Sequence, residues 1–324
     1  MANFFGHQKQ WLLLKKSESL GKLSHAYLFS GKSQLGKKEI AFELARLANC
    51  KAENSGGRPC GKCLCCQETE KNCHPDFLYL EAKPSDEESG INSVRDLTKW
   101  LSFKPGLGGF KVAVIDQFQK FSLAAQSALL KTLEEPRGDA LLILISDYPE
   151  FLLPTIASRL QEIRFYPLSE KEIVGLLTAK GASQALAKKI SFFSFGRPLK
   201  ALDLLAKEKL AAEEEKLESF GNLLARDLAP WFKKIGEIAG DGGNVTEALE
   251  AWLNPLRLVL LARMGVVREE AMTEAGKKFF QKASHIPLAK IRNFIDSLDK
   301  ANYLLLRTNA NARLVMENSV LELF

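Results

Sequence analysis

HAYLFSGKSQLGKK, residues 25–38, is the stretch that decides the fold. Ala26 to Phe29 is a short apolar run without polar alternation, the pattern of a strand buried on both faces of a parallel sheet. GKSQLGKK, from Gly31 to Lys38, follows at once and fits G-x-x-x-x-G-K with Gly31, Gly36 and Lys37 in place. Glycines let backbone N–H groups converge on phosphates, and the lysine reaches the terminal ones. A helical pattern comes next, so strand, phosphate loop and helix stand in the order that opens an α/β domain. One position departs: Lys38 stands where a Ser or Thr hydroxyl would ligate magnesium.

Working outward, further candidate strands are Phe77 to Leu80, Val112 to Ile115, Leu141 to Ile145 and Glu162 to Phe165, separated by helical patterns from about Leu12 to Phe165. The third strand, in KVAVID, ends at Asp116, where a phosphate-loop protein carries an acidic residue for magnesium. Gln117 follows where a second carboxylate often activates water. An amide can orient water but cannot take its proton. Ser122 is placed to cap a helix through Ala125, Leu129 and Leu133 that ends by Glu135, because Pro136 disfavours continuation. After Pro167 the strand signals stop. Ser169 with Glu172 forms a capping box opening a helical region to about Lys207, and from about Leu210 to Phe324 the pattern is helical throughout. Within it Val245 to Met264 and Ile291 to Phe324 are amphipathic, and Pro255 is expected to kink or split the first.

All six cysteines lie between Cys50 and Cys73. Cys50, Cys60, Cys63 and Cys66 have the tight, turn-compatible spacing of a tetrahedral all-thiolate zinc site, closed to catalysis. Cys65 competes with Cys66 for the fourth place. His74, in HPDF, reads as a turn residue rather than a ligand.

At 324 residues, 46% hydrophobic and 26% charged, the chain can fill two or three ordinary cores, which excludes a disordered polymer. No run of eighteen apolar residues occurs, and MANFFGHQKQWLLLKK lacks the order of a signal peptide, so a cytoplasmic protein without membrane contact is expected. Clustered thiols in such a reducing compartment favour metal over disulfides. The net charge of +6 is compatible with nucleic acid nearby but equally with a solvated basic face.

In order, HAYLFSG, the cysteine module, HPDF, INSVRDL, KVAVIDQF, SALLKTLEEP, LLPTIASRLQ, GRPLKAL and the closing NANARLVMENSVLEL resemble the AAA+ clamp-loader family of bacterial DNA polymerase III along nearly the whole chain. SALLKTLEEP is the most specific. Lys38 and Gln117, together with Lys200 where a lid arginine often reaches the phosphates and the close of the sequence on the collar-like stretch, point to the non-hydrolysing delta-prime branch rather than the ATP-hydrolysing motor branch. Leu160 replaces the usual cysteine of the Ser-Arg-Cys segment, whose Ser158 and Arg159 are intact.

The resemblance implies an α/β AAA+ domain over residues 1–166 with the zinc module at 50–66, a helical lid at 167–207 and an all-α collar at 208–324. It implies a hetero-pentamer with motor subunits and a delta subunit, loading a sliding clamp onto primer-template DNA. It further implies that Arg159 acts in trans as an arginine finger at a neighbour's ATP site. Gly31, Gly36, Lys37 and Asp116 would form a degenerate nucleotide site, with ATP binding left open. Two rival readings are a free-standing phosphate-loop ATPase and a zinc-ribbon nucleic-acid binder gripping phosphates through Lys51, Arg58, Lys62 and Lys71.

Overall fold

In a computed structural model, the described residues are 6–52, 57–82, 87–107, 109–136, 138–206, 209–224, 227–240, 245–266, 272–308 and 310–324. Residues 53–56 of the cysteine module and the expected lid boundary at 207–208 lie outside them. The described chain divides into two compact units, one of residues 1–176 with 196–200 and the other of 177–195 with 201–324.

The first unit is built on five strands: β1 (Ala26–Ser30), β2 (Phe77–Glu81), β3 (Lys111–Asp116), β4 (Ala140–Ser146) and β5 (Gln161–Arg164). Every pair is parallel and the order is β2-β3-β4-β1-β5. Each strand lies within one residue of its expected bounds. Side chains sort by alternation. Tyr27, Phe29, Val112, Val114, Leu141, Ile143 and Ile145 face a core shared with α1 (Gln8–Ser19) and α2 (Lys37–Asn49). Ala26, Leu28, Ala113, Ile115, Leu142 and Leu144 face one shared with α4 (Glu87–Leu101), α5 (Leu123–Ala128), α6 (Leu130–Glu134) and α7 (Pro154–Ala157). Burial on both faces explains why the strands read as continuous apolar runs. Leu160 packs against the second core, so replacement of the motif's usual cysteine keeps an apolar contact there.

Chain order reverses direction across the sheet at β1. From β1 the chain crosses to the far edge at β2 and returns through β3 to β4, so the crevice at the carboxyl ends of β1 and β4 is a topological switch point.

Two expectations are corrected. The helix capped by Ser122, whose Oγ accepts from Ala125 N at 3.2 Å, is divided at Leu129 into α5 and α6, because the Leu129 amide donates to Gln126 O and tightens the turn. Of the kink or split expected at Pro255, the split is the part overturned: α13 (Val245–Arg263) runs through it. Pro255 is buried on the same helix as Leu249, Trp252, Leu253, Leu256 and Val259, and that packing offsets the lost backbone hydrogen bond.

After β5 in the sequence, α8 (Glu170–Ala179) opens with the expected box, Ser169 N donating to Glu172 Oε2 at 2.8 Å. α9 (Gln184–Ser194) and α10 (Pro198–Ala206) follow. In the second unit, α11 (Leu210–Leu224), α12 (Leu228–Gly240), α13, α14 (Glu274–Ala283), α15 (Leu288–Arg307) and α16 (Ala312–Val320) surround an aromatic cluster. Trp231 lies at its centre, fully buried, with ring centroids 5.3–5.9 Å from Phe220, Trp252 and Phe294. Among the described residues no strand follows β5, and no helix is long and apolar enough to cross a membrane.

Candidate functional site

The phosphate loop links β1 to α2. Gly31 adopts φ 136°, and a Cβ there would meet Phe165 O at 2.3 Å, so the turn admits only glycine. Gly36, at φ 92°, begins α2 and aims its first turn into the crevice. Lys37 is 5% exposed. Its Nζ donates to Gly31 O, to Lys32 O at 2.6 Å and to Asp147 Oδ1 at 2.7 Å. Asp147 directly follows β4 and reaches the crevice across the β1–β4 pairing.

At the magnesium end, Lys38 Nζ donates to the Tyr79 hydroxyl at 2.8 Å and lies 4.0 Å from the centroid of that ring. The hydroxyl in turn lies 3.0 Å from Asp116 Oδ2 and 3.2 Å from Glu81 Oε2. Parallel register makes this assembly possible, since Glu81 is paired with Asp116 and Tyr79 shares a strand face with Glu81. Burial pushes the Asp116 carboxyl up, an effect that Tyr79 and the Gln117 amide partly oppose. Burial, then the nearby Asp116 charge, pushes the Tyr79 phenol up as well, so the hydroxyl stays protonated as a donor. Gln117 has φ 51°, and its side-chain amide donates to Glu81 Oε1 at 3.4 Å. An ammonium stands where magnesium needs an oxygen ligand, so the residues present do not fit that ion.

Arg159 follows α7 in the segment leading into β5. Its guanidinium reaches Glu134 Oε1 at 2.7 Å and Thr155 O at 2.8 Å, and its side chain is 37% exposed. Glu134 belongs to SALLKTLEEP, so that motif and the Ser158–Arg159 segment meet here.

The cysteine module joins α2 to β2. Cys50 ends α2, Cys60 and Cys63 lie in the loop, and Cys66 lies in α3 (Leu64–Glu70). All four Sγ atoms lie within 4.8 Å of one another. Cys60 N donates to Cys50 Sγ at 3.4 Å and Cys63 N to Cys60 Sγ at 3.3 Å, the polarity that stabilises thiolates. Amides of Lys62 and Cys63 hold the Cys60 thiol down at about 6, while burial pushes Cys66 up. Four soft donors converging with supporting amides suit zinc. Cys65 is buried outside the cluster and Cys73 is exposed. His74 is also outside it, its Nδ1 accepting from Asp76 N at 3.0 Å. Arg58 turns inward, donating to Leu47 O at 2.9 Å and pairing with Glu18 at 3.2 Å.

Sequence reasoning missed Asp147, Tyr79 and Arg197. Arg197 is 7% exposed and places Nη1 3.4 Å from Ser33 Oγ in the loop, so it is Arg197 whose contact to the loop is seen, three residues before Lys200. The available signal for Asp147 was an acidic residue immediately beyond a buried strand. For Tyr79 there was none.

The family model described as "DNA polymerase III, delta subunit" matches residues 6–169. DNA polymerase III subunit delta' of Pseudomonas aeruginosa is 39% identical over 136 residues, 42% of this chain and 41% of that protein. Subunit gamma of Buchnera aphidicola subsp. Schizaphis graminum is 35% identical over 193 residues, 58% of this chain and 52% of that protein. Subunit delta' of Haemophilus influenzae is 32% identical over 224 residues, 67% of this chain and 66% of that protein. The chain thus spans about half the length of the curated relatives it matches.

Proposed function

The chain belongs to the DNA polymerase III delta-subunit family, and from that premise we propose that it is a delta-prime-like stator of a clamp loader. In this reading it assembles with motor subunits and a delta subunit in a hetero-pentamer that opens a sliding clamp and places it on primer-template DNA. Residues 1–166 form its AAA+ domain, 167–207 its lid and 208–324 its collar. The observation that carries the reading is Lys38: its ammonium lies on the Tyr79–Asp116 pair, where hydrolysis would need magnesium. Gly31, Gly36, Lys37 and Asp116 therefore make a degenerate nucleotide site without hydrolytic chemistry, whether or not it takes up ATP, and Gln117 supplies no base.

Arg159 is the residue that acts, in trans. Its planar fork, partly exposed, matches the charge that develops on a neighbour's γ-phosphate during transfer. Cys50, Cys60, Cys63 and Cys66 would hold a structural zinc ion, which supplies cross-linking of the α2–β2 connection and no catalysis.

The loop glycines, Lys37 and 35% identity to a gamma subunit favour the motor reading as runner-up. Lys38 and Gln117 weigh against it. The zinc-ribbon reading loses support because Arg58 is engaged with Leu47 and Glu18. The test is to mix the purified chain with clamp-loader motor and delta subunits and weigh the product. A stable hetero-oligomer with clamp-stimulated ATP hydrolysis supports the stator. Failure to join it, or magnesium-dependent turnover by the chain alone, refutes it.

A further inference from the structure

The phosphate loop keeps its shape while its charges are already matched from within. An ammonium has three N–H donors, and Lys37 directs them to three acceptors: Gly31 O, Lys32 O and Asp147 Oδ1. The Lys37–Asp147 pair is shielded, with side chains 4% and 21% exposed, so water screens it weakly. A terminal phosphate drawn to Lys37 would have to displace one of these acceptors and would meet the Asp147 carboxylate, a like charge attached to the same cation. At the other end Asp116 already has a cation nearby, because Lys38 reaches it through the Tyr79 hydroxyl. The loop itself is otherwise held as a phosphate loop is held: Gly31 and Gly36 are in their special conformations, Leu199 N donates to Gln34 O at 3.2 Å, and Arg197 reaches Ser33.

We propose that Asp147 and Lys38 are built-in substitutes for the terminal phosphate and for magnesium, and that this internal occupancy, not loss of the loop, keeps nucleotide out. The inference deepens the reading of the site as non-hydrolysing and rests on it. Two consequences separate it from simple decay of the motif. Removing the Asp147 charge alone should open the loop to a nucleoside triphosphate. Because Lys38 stays in place, the bound triphosphate should need no metal, its charge being met by the two ammonium groups and the amides of the first turn of α2.

The experiment uses the full chain and isothermal titration with ATP, once with magnesium and once with EDTA. Asp147→Asn keeps an oxygen within reach of Lys37 while removing the charge, and Asp147→Ser deletes the same charge with a smaller group should the first variant fold poorly. Circular dichroism and thermal melting verify the fold. Expected is binding at least about tenfold tighter than wild type, a difference of about 1.4 kcal/mol, and equal in the two buffers. Adding Lys38→Ser to Asp147→Asn should make binding magnesium-dependent. Folded Asp147 variants that bind no better than wild type overturn the assignment of Asp147. Binding by Asp147→Asn that requires magnesium overturns that of Lys38. Tight binding by the wild type overturns internal occupancy yet leaves the stator reading standing, whereas ATP turnover by the wild type sinks the stator reading itself.

Discussion

Replacing Arg159 by alanine separates a structural from a functional role. In the isolated chain Arg159 makes one ion pair with Glu134 at 2.7 Å and hydrogen bonds to Thr155 O at 2.8 Å and, longer, to Ser158 Oγ at 3.4 Å, with the two charged side chains 37% and 50% exposed. An ion pair this exposed is worth about 0–1 kcal/mol, and an exposed hydrogen bond adds about 1 kcal/mol at most. Loss of these contacts, the Ser158 one being long and weak, should lower Tm by only a few degrees in a chain of this size, at about 2–4 °C per kcal/mol for 150–250 residues. A guanidinium finger, by contrast, contributes about 10³ to 10⁵ in rate in GTPases. The two scales differ enough to be read apart. Arg159→Ala should therefore fold, keep its metal and join the complex, while the clamp- and DNA-stimulated ATP hydrolysis of the reconstituted assembly falls by the share of the site it completes. Arg159→Lys should rescue poorly, since an ammonium keeps the charge and loses the fork. Glu134→Gln, which only frees the guanidinium, should leave hydrolysis intact. A reconstituted alanine variant that hydrolyses ATP and loads clamps like the wild type refutes the assignment and returns Arg159 to a surface charge.

Metal analysis should find one zinc per chain; Cys63→Ser should release it, whereas Cys65→Ser and Cys73→Ser should retain it, and metal-free undamaged protein would contradict the site. The isolated wild-type chain should hydrolyse ATP no faster than a Lys37→Ala control, and steady magnesium-dependent turnover would revive the motor reading. Asp76→Ala should destabilise by about 3–5 kcal/mol in denaturant unfolding, because it strips the buried Lys111, 3.7 Å away, of its counter-charge. Burial works to raise the Asp76 carboxyl, but the amides of Gly106 and Leu107, then Lys111 and His74, outweigh it and hold it below the ordinary range. Its charged form is thus favoured by folding. The stabilisation is complete above the unfolded value of about 3.9 and is lost as pH falls through the lower folded value, so the gap between wild type and Asp76→Asn should narrow in acid. A gap independent of pH would exclude this carboxylate as its source.

The sequence made the strands legible because a parallel strand buried on both faces has a local signature, a short unbroken apolar run such as LLILI. Ser122 and Ser169 were legible as caps for the same reason, since a cap and its target lie three residues apart. Apart from the division at Leu129, which a hydrogen bond to Gln126 O three residues back makes, the misread and missed features depend on partners distant in sequence. Whether Pro255 breaks a helix is decided by what buries α13, and tertiary packing overrode the local penalty. Tyr79, Asp116 and Lys38 come together only through the β2–β3 register and the entry of α2, separations of 37 and 41 residues. Asp147 is 110 residues from Lys37. No periodicity encodes such meetings. Conversely, the convergence of Cys50, Cys60, Cys63 and Cys66 was legible because thiol spacing within one loop carries most of the geometry.

The phosphate-loop motif and the arginine carry different kinds of information, for a physical reason. Gly31 is required by contact with Phe165 whether or not phosphate ever binds, since any Cβ there would strike the backbone. The strands that present the loop are themselves the core: Phe29, Ile115 and Ile143 are fully buried, and truncating one such isoleucine costs about 2–5 kcal/mol out of a typical 5–15. Replacements at Lys38, Gln117 and Asp147 sit at strand ends and in the first helical turn, where they remove no comparable apolar contact. The sheet and its glycine turn can thus persist on packing alone while the chemistry at the crevice changes. G-x-x-x-x-G-K in this chain consequently testifies to fold and not to turnover. Arg159 has no packing role of that kind, being partly exposed and held by one carboxylate, one carbonyl and a long contact to the Ser158 hydroxyl. Function is better sought in a side chain whose presence the core does not explain.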